Sequence, residues 1–262
     1  MSEFITSRQN TQIKKLDALL RQKKAREQYG FFVLEGAKLC LDAYNSGMTV
    51  EELYLSQEAK LRCPELAPLV LEAKNVIFVD NDLAGRIAGT KTTQGVFAVC
   101  KTPDLPVMPE ISGQGRYLLL HRIRDPGNLG SILRTAAALG VSGVILSDCV
   151  ELYSPKVLRA SMGGIWRLQV AVCPDMMSAI NQLRAKNVRV IAAALGEGSS
   201  KAEMLSFKGG LAVLIGNEGS GLPDELIAAA DEIIKIPMKG ESQSLGAAMA
   251  AGILLWEMLK DR

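Results

Sequence analysis

The sequence has little of the chemistry that builds metal centres and disulfide frameworks. Its 262 residues include a single histidine, His121, so a histidine-based metal site or catalytic triad has almost no material. The five cysteines are scattered without a C-x-x-C pair, which is typical of free thiols in a reducing compartment. We therefore predict a cytoplasmic protein without a metal site.

Long apolar runs and a strong net charge are also missing. The most apolar stretch, residues 245–256, is too short to cross a bilayer. The first ten residues lack the apolar segment of a signal peptide, so we expect no membrane association. The formal net charge is only +2, and any basic surface for nucleic acid must therefore be local.

What the chain does contain is a regular alternation of short apolar runs and amphipathic stretches. The alternation predicts strands at residues 31–34, 50–55, 76–79, 95–100, 117–120, 144–146, 188–193, 211–215 and 233–236. Residues 101–115 hold three prolines and two glycines and are predicted to be a linker. We predict a small α/β domain over residues 1–100 and a doubly wound, parallel-sheet α/β domain over residues 116–262.

Residues 8–26 combine apolar side chains at helical spacing with a cluster of basic ones. Through Tyr29 there are seven basic and three acidic residues, a net charge of +4 and a modest footprint for phosphate groups. A solvated helix face gives the same pattern, and that alternative stays open. The predicted RNA-binding residues are Lys14, Lys15, Arg21, Lys23, Lys24 and Arg26.

The second half is organised around residues 211–252. Strand 211–215 runs into Gly216-Asn217-Glu218-Gly219-Ser220-Gly221, where glycines allow the backbone to approach a ligand closely. The spacing G-x-x-G-x-G is not that of a dinucleotide fingerprint or a P-loop. Strand 233–236 and helix 245–260 supply two more loops, so we predict that three loops converge on one small molecule. A tight turn without a ligand is the alternative.

A helix is predicted after the loop 121–127, with Asn128 as its N-cap. One face of this helix consists of small residues and a single cation, Arg134. Such a row leaves room for another backbone or for a ligand, although plain surface decoration is the alternative. The small residues on this face are Gly127, Gly130, Ser131 and Ala138.

The C-terminal helix, residues 245–260, is apolar nearly all round. A terminal helix without a polar face needs burial on two sides, which one domain edge rarely offers. We therefore predict a homodimer with this helix in its interface.

Three ordered segments resemble the signature motifs of the SpoU/TrmH-type RNA 2′-O-ribose methyltransferases of the SPOUT superfamily. They are DPGNLGSILRTAAALGV (125–141), LIGNEGSGL (214–222) with IKIPM (234–238), and SLGAAMAAGI (244–253). RASMGGIWRLQV (159–170) is similar to the family's segment between the first two motifs. FFVLEGAKLCLDA (31–43) is similar to the substrate-binding domain that many members place first.

The resemblance implies a SPOUT domain with a C-terminal trefoil knot, a homodimer, and S-adenosylmethionine as methyl donor. It implies RNA as the partner, ribosomal RNA more than transfer RNA. The implied catalytic residues are Asn128, Arg134, Glu218 and Ser244. The implied cofactor-binding residues are Leu195, Gly216, Asn217, Gly221, Ile236 and Leu245.

One departure from the family pattern lies in the third motif, where Gly246 replaces the usual asparagine. Either Ser242 or Gln243 substitutes for it, or turnover is reduced. Arg134 is assigned to the phosphate and the developing oxyanion, because a guanidinium stays protonated and is a poor base. In this scheme Asn128 and Ser244 orient Arg134, and Glu218 supports the loop.

Two other functions fit parts of the sequence. A catalytically weak or silent RNA-binding SPOUT protein is compatible with Gly246. A nicotinamide-dependent oxidoreductase would also use a parallel sheet with glycine loops, but its fingerprint and its ribose-binding acid are absent from the sequence.

Overall fold

A computed structural model describes residues 4–90, 92–194, 200–201, 208–238 and 245–260. The chain divides into two compact units. The first contains the residues up to Pro103 together with Tyr153–Trp166, and the second contains Asp104–Leu152 and the residues from Arg167 onward.

The first unit is an α/β domain built on a five-stranded sheet of order β1-β4-β3-β5-β2. Strands β1, β4 and β3 are parallel neighbours, whereas β5 runs antiparallel to both β3 and β2. Its strands are β1 (Phe4–Ile5), β2 (Phe31–Glu35), β3 (Val50–Ser56), β4 (Asn75–Val79) and β5 (Val96–Lys101). Its helices before the linker are α1 (Thr11–Arg21), α2 (Lys23–Tyr29), α3 (Ala37–Asn45), α4 (Gln57–Arg62), α5 (Ala67–Glu72) and α6 (Asn81–Ile87).

The second unit is built on a seven-stranded sheet of order β10-β12-β9-β11-β6-β7-β8, in which every pair is parallel. Its strands are β6 (Arg116–His121), β7 (Gly143–Ser147), β8 (Val170–Val172), β9 (Val188–Ala193), β10 (Ser200–Lys201), β11 (Gly210–Ile215) and β12 (Glu232–Lys235). Its helices are α7 (Pro126–Leu139), α9 (Met176–Arg184), α10 (Asp224–Ala229) and α11 (Ala247–Leu259).

Helices lie against both faces of the second sheet. The face that carries Leu119, Val190 and Ala212 shares a core with Ile180 of α9 and Leu226 of α10. On the other side α11 packs against α7 and β11. Both faces of each central strand are therefore apolar and buried, as a doubly wound sheet requires. The predicted fold class is confirmed at this level.

The predicted strands agree closely with the observed ones, and their ends differ by at most one residue. The short strands β1, β8 and β10 were not predicted, because two or three residues carry no usable periodicity. The basic stretch 8–26 is not one helix: Gln22, with an extended backbone, separates α1 from α2. No helix among the described residues is long and apolar enough to cross a membrane.

The start of α7 differs from the prediction. Asp125, not Asn128, is the N-cap, and its Oδ1 accepts a hydrogen bond of 2.8 Å from the backbone amide of Asn128. Pro126 occupies the first helical turn, where its fixed φ is favourable and its missing N–H costs nothing. Asn128 therefore lies inside the helix, and its side chain is available for another contact.

Residues 153–166 pack in the first unit, although the sequence predicted an unbroken domain over 116–262. Tyr153 and Trp166 stack with Phe32 of β2, at centroid distances of 4.8 and 6.0 Å. Helix α8 (Pro155–Ser161) lies against β2, and Arg159 forms an ion pair of 3.4 Å with the buried Glu35. Aromatic stacking and a buried carboxylate thus hold this segment in the first unit.

Candidate active site

The loops that follow β6, β7, β9, β11 and β12 all leave the carboxyl edge of the second sheet, because these strands are parallel. Such an edge is where α/β proteins bind ligands. A cleft of about 440 Å³ lies there. The predicted residues Gly216, Asn217, Gly221, Ile236 and Leu245 all line it. Described residues from each of the three predicted regions therefore line one cleft.

The glycines of the loop after β11 have an internal role that the sequence did not reveal. A Cβ atom on Gly216 would lie only 2.4 Å from the carbonyl carbon of Gly221. Asn217 and Gly221 exchange two backbone hydrogen bonds of 3.0 Å, and Gly221 has a φ of +68°. These glycines are required first to fold the loop onto itself, and not only to admit a ligand.

The lining of the cleft fits S-adenosylmethionine. Its volume lies within the range of roughly 300–1,000 Å³ that is usual for sites of small molecules and cofactors. Apolar side chains suit an adenine ring, and acidic ones at the rim suit a cationic ligand. The apolar residues include Ile215, Leu222, Ile227, Ile236, Met238 and Leu254, and the acidic ones are Glu218 and Asp224.

Glu218 ties the loop after β11 to the start of α7. Its carboxylate accepts hydrogen bonds from the backbone amides of Arg124 (3.1 Å) and Asp125 (3.0 Å), and from Nδ2 of Asn128 (3.2 Å). Partial burial acts to raise the pKa of Glu218, but these donors outweigh it and the pKa lies below its ordinary value. Glu218 is therefore an ionised clamp on the helix start, and its part in catalysis stays a prediction.

Asn217 forms a second tie beside the first. Its Nδ2 donates to the backbone carbonyl of Arg122 at 2.8 Å, and its Oδ1 accepts from the amides of Gly219 and Ser220 at 2.9 Å. Two consecutive side chains thus fix the loop between β6 and α7 from the rim of the cleft.

Arg134 projects from α7 into solvent between the exposed residues Ser131 and Ala138. Within the part of the chain that the structure describes, it has no hydrogen bond or ion pair. Asn128 was predicted to orient it, but the side chain of Asn128 bonds to Glu218 instead. That part of the scheme is wrong, because the helix start places Asn128 beside the clamp.

The row of small residues on α7 is used only partly. Gly130 is buried, and α11 packs against α7. A Cβ atom on Gly252 of α11 would lie 3.9 Å from Cγ2 of Thr135. Another backbone therefore approaches α7, which was one of the two predicted uses. Arg134 itself is exposed, and none of the described residues forms a hydrogen bond or an ion pair with it.

Four residues of the predicted site lie outside the described part of the chain. They are Leu195, Ser242, Gln243 and Ser244. Gly246, which replaces the family's asparagine, is the N-cap of α11 and supplies no side-chain hydrogen bond there.

The predicted RNA-binding cations of α1 and α2 are in different environments. Arg26 is buried, and its Nη1 donates to the carbonyl of Leu19 at 2.5 Å, so it closes the end of α1 and does not face solvent. Lys15 is half-buried, pairs with Glu52 at 2.8 Å and lies over the ring of Phe31. These two predicted ligands have structural partners.

The remaining four are exposed. Arg21 pairs with Asp17 at 2.8 Å, and Lys23 pairs with Glu27 at 3.4 Å. Among the described residues, Lys14 and Lys24 have no ionic or hydrogen-bonded partner. Binding of RNA by this cluster stays a prediction, with Lys14 and Lys24 as its most accessible members.

Two exposed arginines of this edge were missed from the sequence. Arg122 and Arg124 lie in the loop between β6 and α7 and both contact Asp148, in the loop after β7. The available signal was the pattern Arg122-Ile123-Arg124 directly before the first motif, which points two cations to one side.

Comparison with known proteins identifies the family. The model of the SpoU rRNA Methylase family matches residues 115–256, and that of the MRM3-like substrate binding domain matches residues 10–98. This chain belongs to the SpoU rRNA methylase family. The predicted membership is confirmed, as is a parallel-sheet domain preceded by a substrate-binding domain.

Full-length relatives agree with this assignment. The chain is 30% identical over 241 residues to the 23S rRNA (guanosine(2553)-2′-O)-methyltransferase RlmP of Bacillus subtilis, covering 91% of this SpoU protein and 92% of the relative. It is 29% identical over 269 residues to the 23S rRNA (uridine(2479)-2′-O)-methyltransferase of Streptomyces viridochromogenes, covering 98% and 92%. The AdoMet-bound rRNA methyltransferase from Sinorhizobium meliloti superposes with a TM-score of 0.88 at 32% identity, covering 99% and 98%.

Proposed function

We propose that this SpoU protein transfers a methyl group from S-adenosylmethionine to the 2′-hydroxyl of a ribose in ribosomal RNA. The observation that carries the proposal is the cleft at the carboxyl edge of the sheet, whose rim residue Glu218 holds the start of the helix bearing Arg134. The named activities of the two 23S rRNA methyltransferases and the cofactor named for the Sinorhizobium structure support it.

In this proposal the residues that line the cleft bind and orient the methyl donor. When bound, S-adenosylmethionine supplies a methyl group activated on a sulfonium. Gly216, Asn217, Gly221, Ile236 and Leu245 hold and orient the ligand through the loops that line the cleft. Orientation of this kind can lower a barrier by about 7–11 kcal/mol. No metal ion is required for this transfer.

Arg134 acts on the RNA side of the reaction. The 2′-oxygen gains the methyl group and loses its proton, so negative charge develops on it during the transfer. A guanidinium cannot take that proton but can donate hydrogen bonds to the oxygen and to the adjacent phosphate. The proton then leaves through that phosphate or to water. The lack of a partner for Arg134 among the described residues suits this role.

The test is the position of the methyl group. Purified protein is incubated with S-adenosylmethionine and with unmodified ribosomal RNA or transfer RNA, and the products are digested and analysed by mass spectrometry. We expect a 2′-O-methylated nucleotide from ribosomal RNA. A methyl group on a base, or on transfer RNA alone, would contradict the proposal. RNA binding without any transfer would favour the silent RNA-binding protein.

A homodimer through α11 is part of the proposal. Met249 and Trp256 are 60% and 57% exposed, and they lie seven residues apart with the half-buried Ile253 between them on the same helix face. Exposed apolar patches of this kind mark interaction sites. Leu255 and Met258, in contrast, are buried within the chain, so charged residues there would disrupt the core.

The dimer is tested at the exposed positions. The double variant Met249→Glu, Trp256→Glu should sediment as a monomer, since two carboxylates would be buried without partners. Leu71→Glu, at a leucine that is 85% exposed in the first unit, is the matched control and should leave the mass unchanged. A double variant that keeps the wild-type mass would refute the interface.

Two further features belong to the proposal: a knot, which the family resemblance implies, and a cellular location, which the cysteines suggest. We propose a trefoil knot at the C-terminal segment, whose residues 239–244 lie outside the described part of the chain. We also propose a cytoplasmic location, because all five cysteines are free thiols.

A further inference from the structure

The loop between β6 and α7 presents two cations on one side. Ile123 is buried, whereas its neighbours Arg122 and Arg124 are exposed, so the two guanidiniums share the outward face of the loop. Their side chains retain 52% and 54% of their accessible surface. Neither cation is buried in the fold for a structural purpose, in contrast to Arg26.

The backbone beneath these side chains is fixed. Asn217 bonds to the carbonyl of Arg122 and Glu218 to the amide of Arg124, both from the rim of the cleft. On the other side, the amide of Arg122 donates to the carbonyl of Ser147 at 3.0 Å, and the amide of Val150 donates to the carbonyl of Ile123 at 2.8 Å. The arginines therefore project from a rigid base, which is a condition for precise recognition.

One carboxylate holds both guanidiniums. Oδ2 of Asp148 accepts from Nε of Arg122 at 3.1 Å and from Nη2 of Arg124 at 2.6 Å. The hydrogen bond from Arg124 is the main reason why the pKa of Asp148 lies below its ordinary value. The cluster therefore carries two positive charges and one negative charge, a net charge of +1.

Backbone strain accompanies this cluster. Arg122 has a φ angle of +57°, in the left-handed region that long side chains rarely adopt, and Asp148 has one of +49°, which an aspartate tolerates more easily. Exposed ion pairs contribute too little to stability to account for such strain. Strained residues of this kind concentrate at binding and catalytic sites.

We propose that Arg122 and Arg124 clamp one phosphodiester of the RNA substrate beside the cofactor cleft, and that Asp148 positions them. The net charge of +1 matches the single negative charge of a phosphodiester. Guanidiniums bind phosphate oxygens through paired hydrogen bonds, and such contacts fix the register of a nucleic acid without reading its sequence. Since Asn217 and Glu218 line the cleft and hold this loop, the clamp sets where the target ribose lies. This inference rests on the proposed function.

Kinetics and binding test the clamp separately from the chemistry. The double variant Arg122→Gln, Arg124→Gln should raise the KM for RNA by roughly tenfold or more, the scale expected when charged hydrogen bonds are removed. The kcat at saturating RNA and the affinity for S-adenosylmethionine should stay near wild type. A plot of log affinity against log salt concentration has a negative slope, and its steepness should decrease by about 0.7–0.9, the value for one phosphate group.

Arg184→Gln is the matched control. Arg184 is also exposed and paired, with Asp231 at 2.7 Å, but it ends α9 at the opposite edge of the same sheet. The Arg184→Gln variant removes one positive charge, half of what the double variant removes, and should change neither the KM nor the salt slope. The variant Arg122→Lys, Arg124→Lys keeps the charge and loses the planar fork, so it should keep the salt slope and still raise the KM.

Asp148→Asn tests the positioning role. If Asp148 sets the geometry of the arginines, the variant should discriminate several-fold less between the target ribose and the neighbouring riboses of the same RNA. Asp231→Asn makes the same charge change at the other edge and should leave discrimination intact. Equal effects of the two variants would overturn the role of Asp148.

The clamp and the proposed function fail in different ways. An unchanged KM and salt slope in the glutamine double variant, with methyl transfer intact, would overturn the clamp alone. Absence of methyl transfer from the wild-type protein would overturn the proposed function. In that case RNA binding alone decides. A salt dependence that is less steep in the double variant than in the wild type supports the clamp, and an equal salt dependence overturns it.

Discussion

The two basic regions of the molecule use their acidic residues in opposite ways. In α1 and α2, the carboxylates of Asp17 and Glu27 neutralise Arg21 and Lys23 along the helix. Around the start of α7, Glu218 and Asp125 instead accept hydrogen bonds from backbone amides. Because these two carboxylates are occupied by the backbone, Arg134 has no acidic partner among the described residues, and Arg122 and Arg124 share the single carboxylate of Asp148. The number of basic residues in a segment therefore does not measure the charge that it can offer to RNA.

Arg134 and Arg21 provide the sharpest test of this difference. Arg134→Ala should reduce kcat/KM for methyl transfer by roughly a hundredfold or more, the usual loss when a donor to transition-state charge is removed. Because Arg134 is exposed, the variant should fold and bind S-adenosylmethionine normally. Arg21→Ala is the control and should transfer methyl at near the wild-type rate. Equal rates for both variants would remove Arg134 from the mechanism.

Arg26 should affect stability and not RNA binding. Arg26→Ala leaves the carbonyl of Leu19 without its donor in a buried environment, which costs about 1–3 kcal/mol of unfolding free energy. Urea denaturation measures this loss, with the exposed Arg21→Ala as the control. If Arg26→Ala has the unfolding free energy of the wild type and a less steep salt dependence of RNA binding, Arg26 binds RNA and has no structural role.

Lys14 and Lys24 should show the converse behaviour. Their replacement by Gln should weaken RNA binding and lower the salt slope by about 0.7–0.9 for each phosphate that the protein no longer neutralises. Replacing Arg21 and Lys23 by Gln changes the charge equally but removes cations that already have carboxylate partners, so its effect should be smaller. If neither pair of substitutions alters the slope, the helix face is merely solvated.

The smallest expected effect is the pH dependence of the stability that Glu218 contributes through its hydrogen bonds to the start of α7. The pKa of Glu218 in the folded state lies below its ordinary value of 4.5, so its stabilising effect is fully present above that pH. The effect is lost as the pH falls through the folded-state pKa. The melting temperature of the wild type should therefore exceed that of Glu218→Gln near neutrality, and the difference should narrow only below about pH 4.5. If the difference between the two melting temperatures stays constant down to about pH 3.5, Glu218 does not stabilise the fold in its ionised form.

Local patterns predicted the strands and the three convergent loops, because both depend on residues that are close in sequence. They did not predict that Asn217 and Glu218 bind groups in residues 122–128, since those partners lie ninety or more residues away. Periodicity also missed the break at Gln22, and with it the burial of Arg26. At α7, Asp125 and Asn128 are both good caps. The presence of Pro126 was the signal that decides between them.

The crossing of residues 153–166 into the first unit has a consequence for how the protein can be divided. A cut within residues 101–115 severs the chain but leaves Tyr153 and Trp166 stacked on Phe32, so the two fragments should remain associated. A gene fragment that begins after the linker would instead leave those rings and Arg159 without their partners. The halves that the sequence suggests are therefore not the pieces into which the protein can be separated.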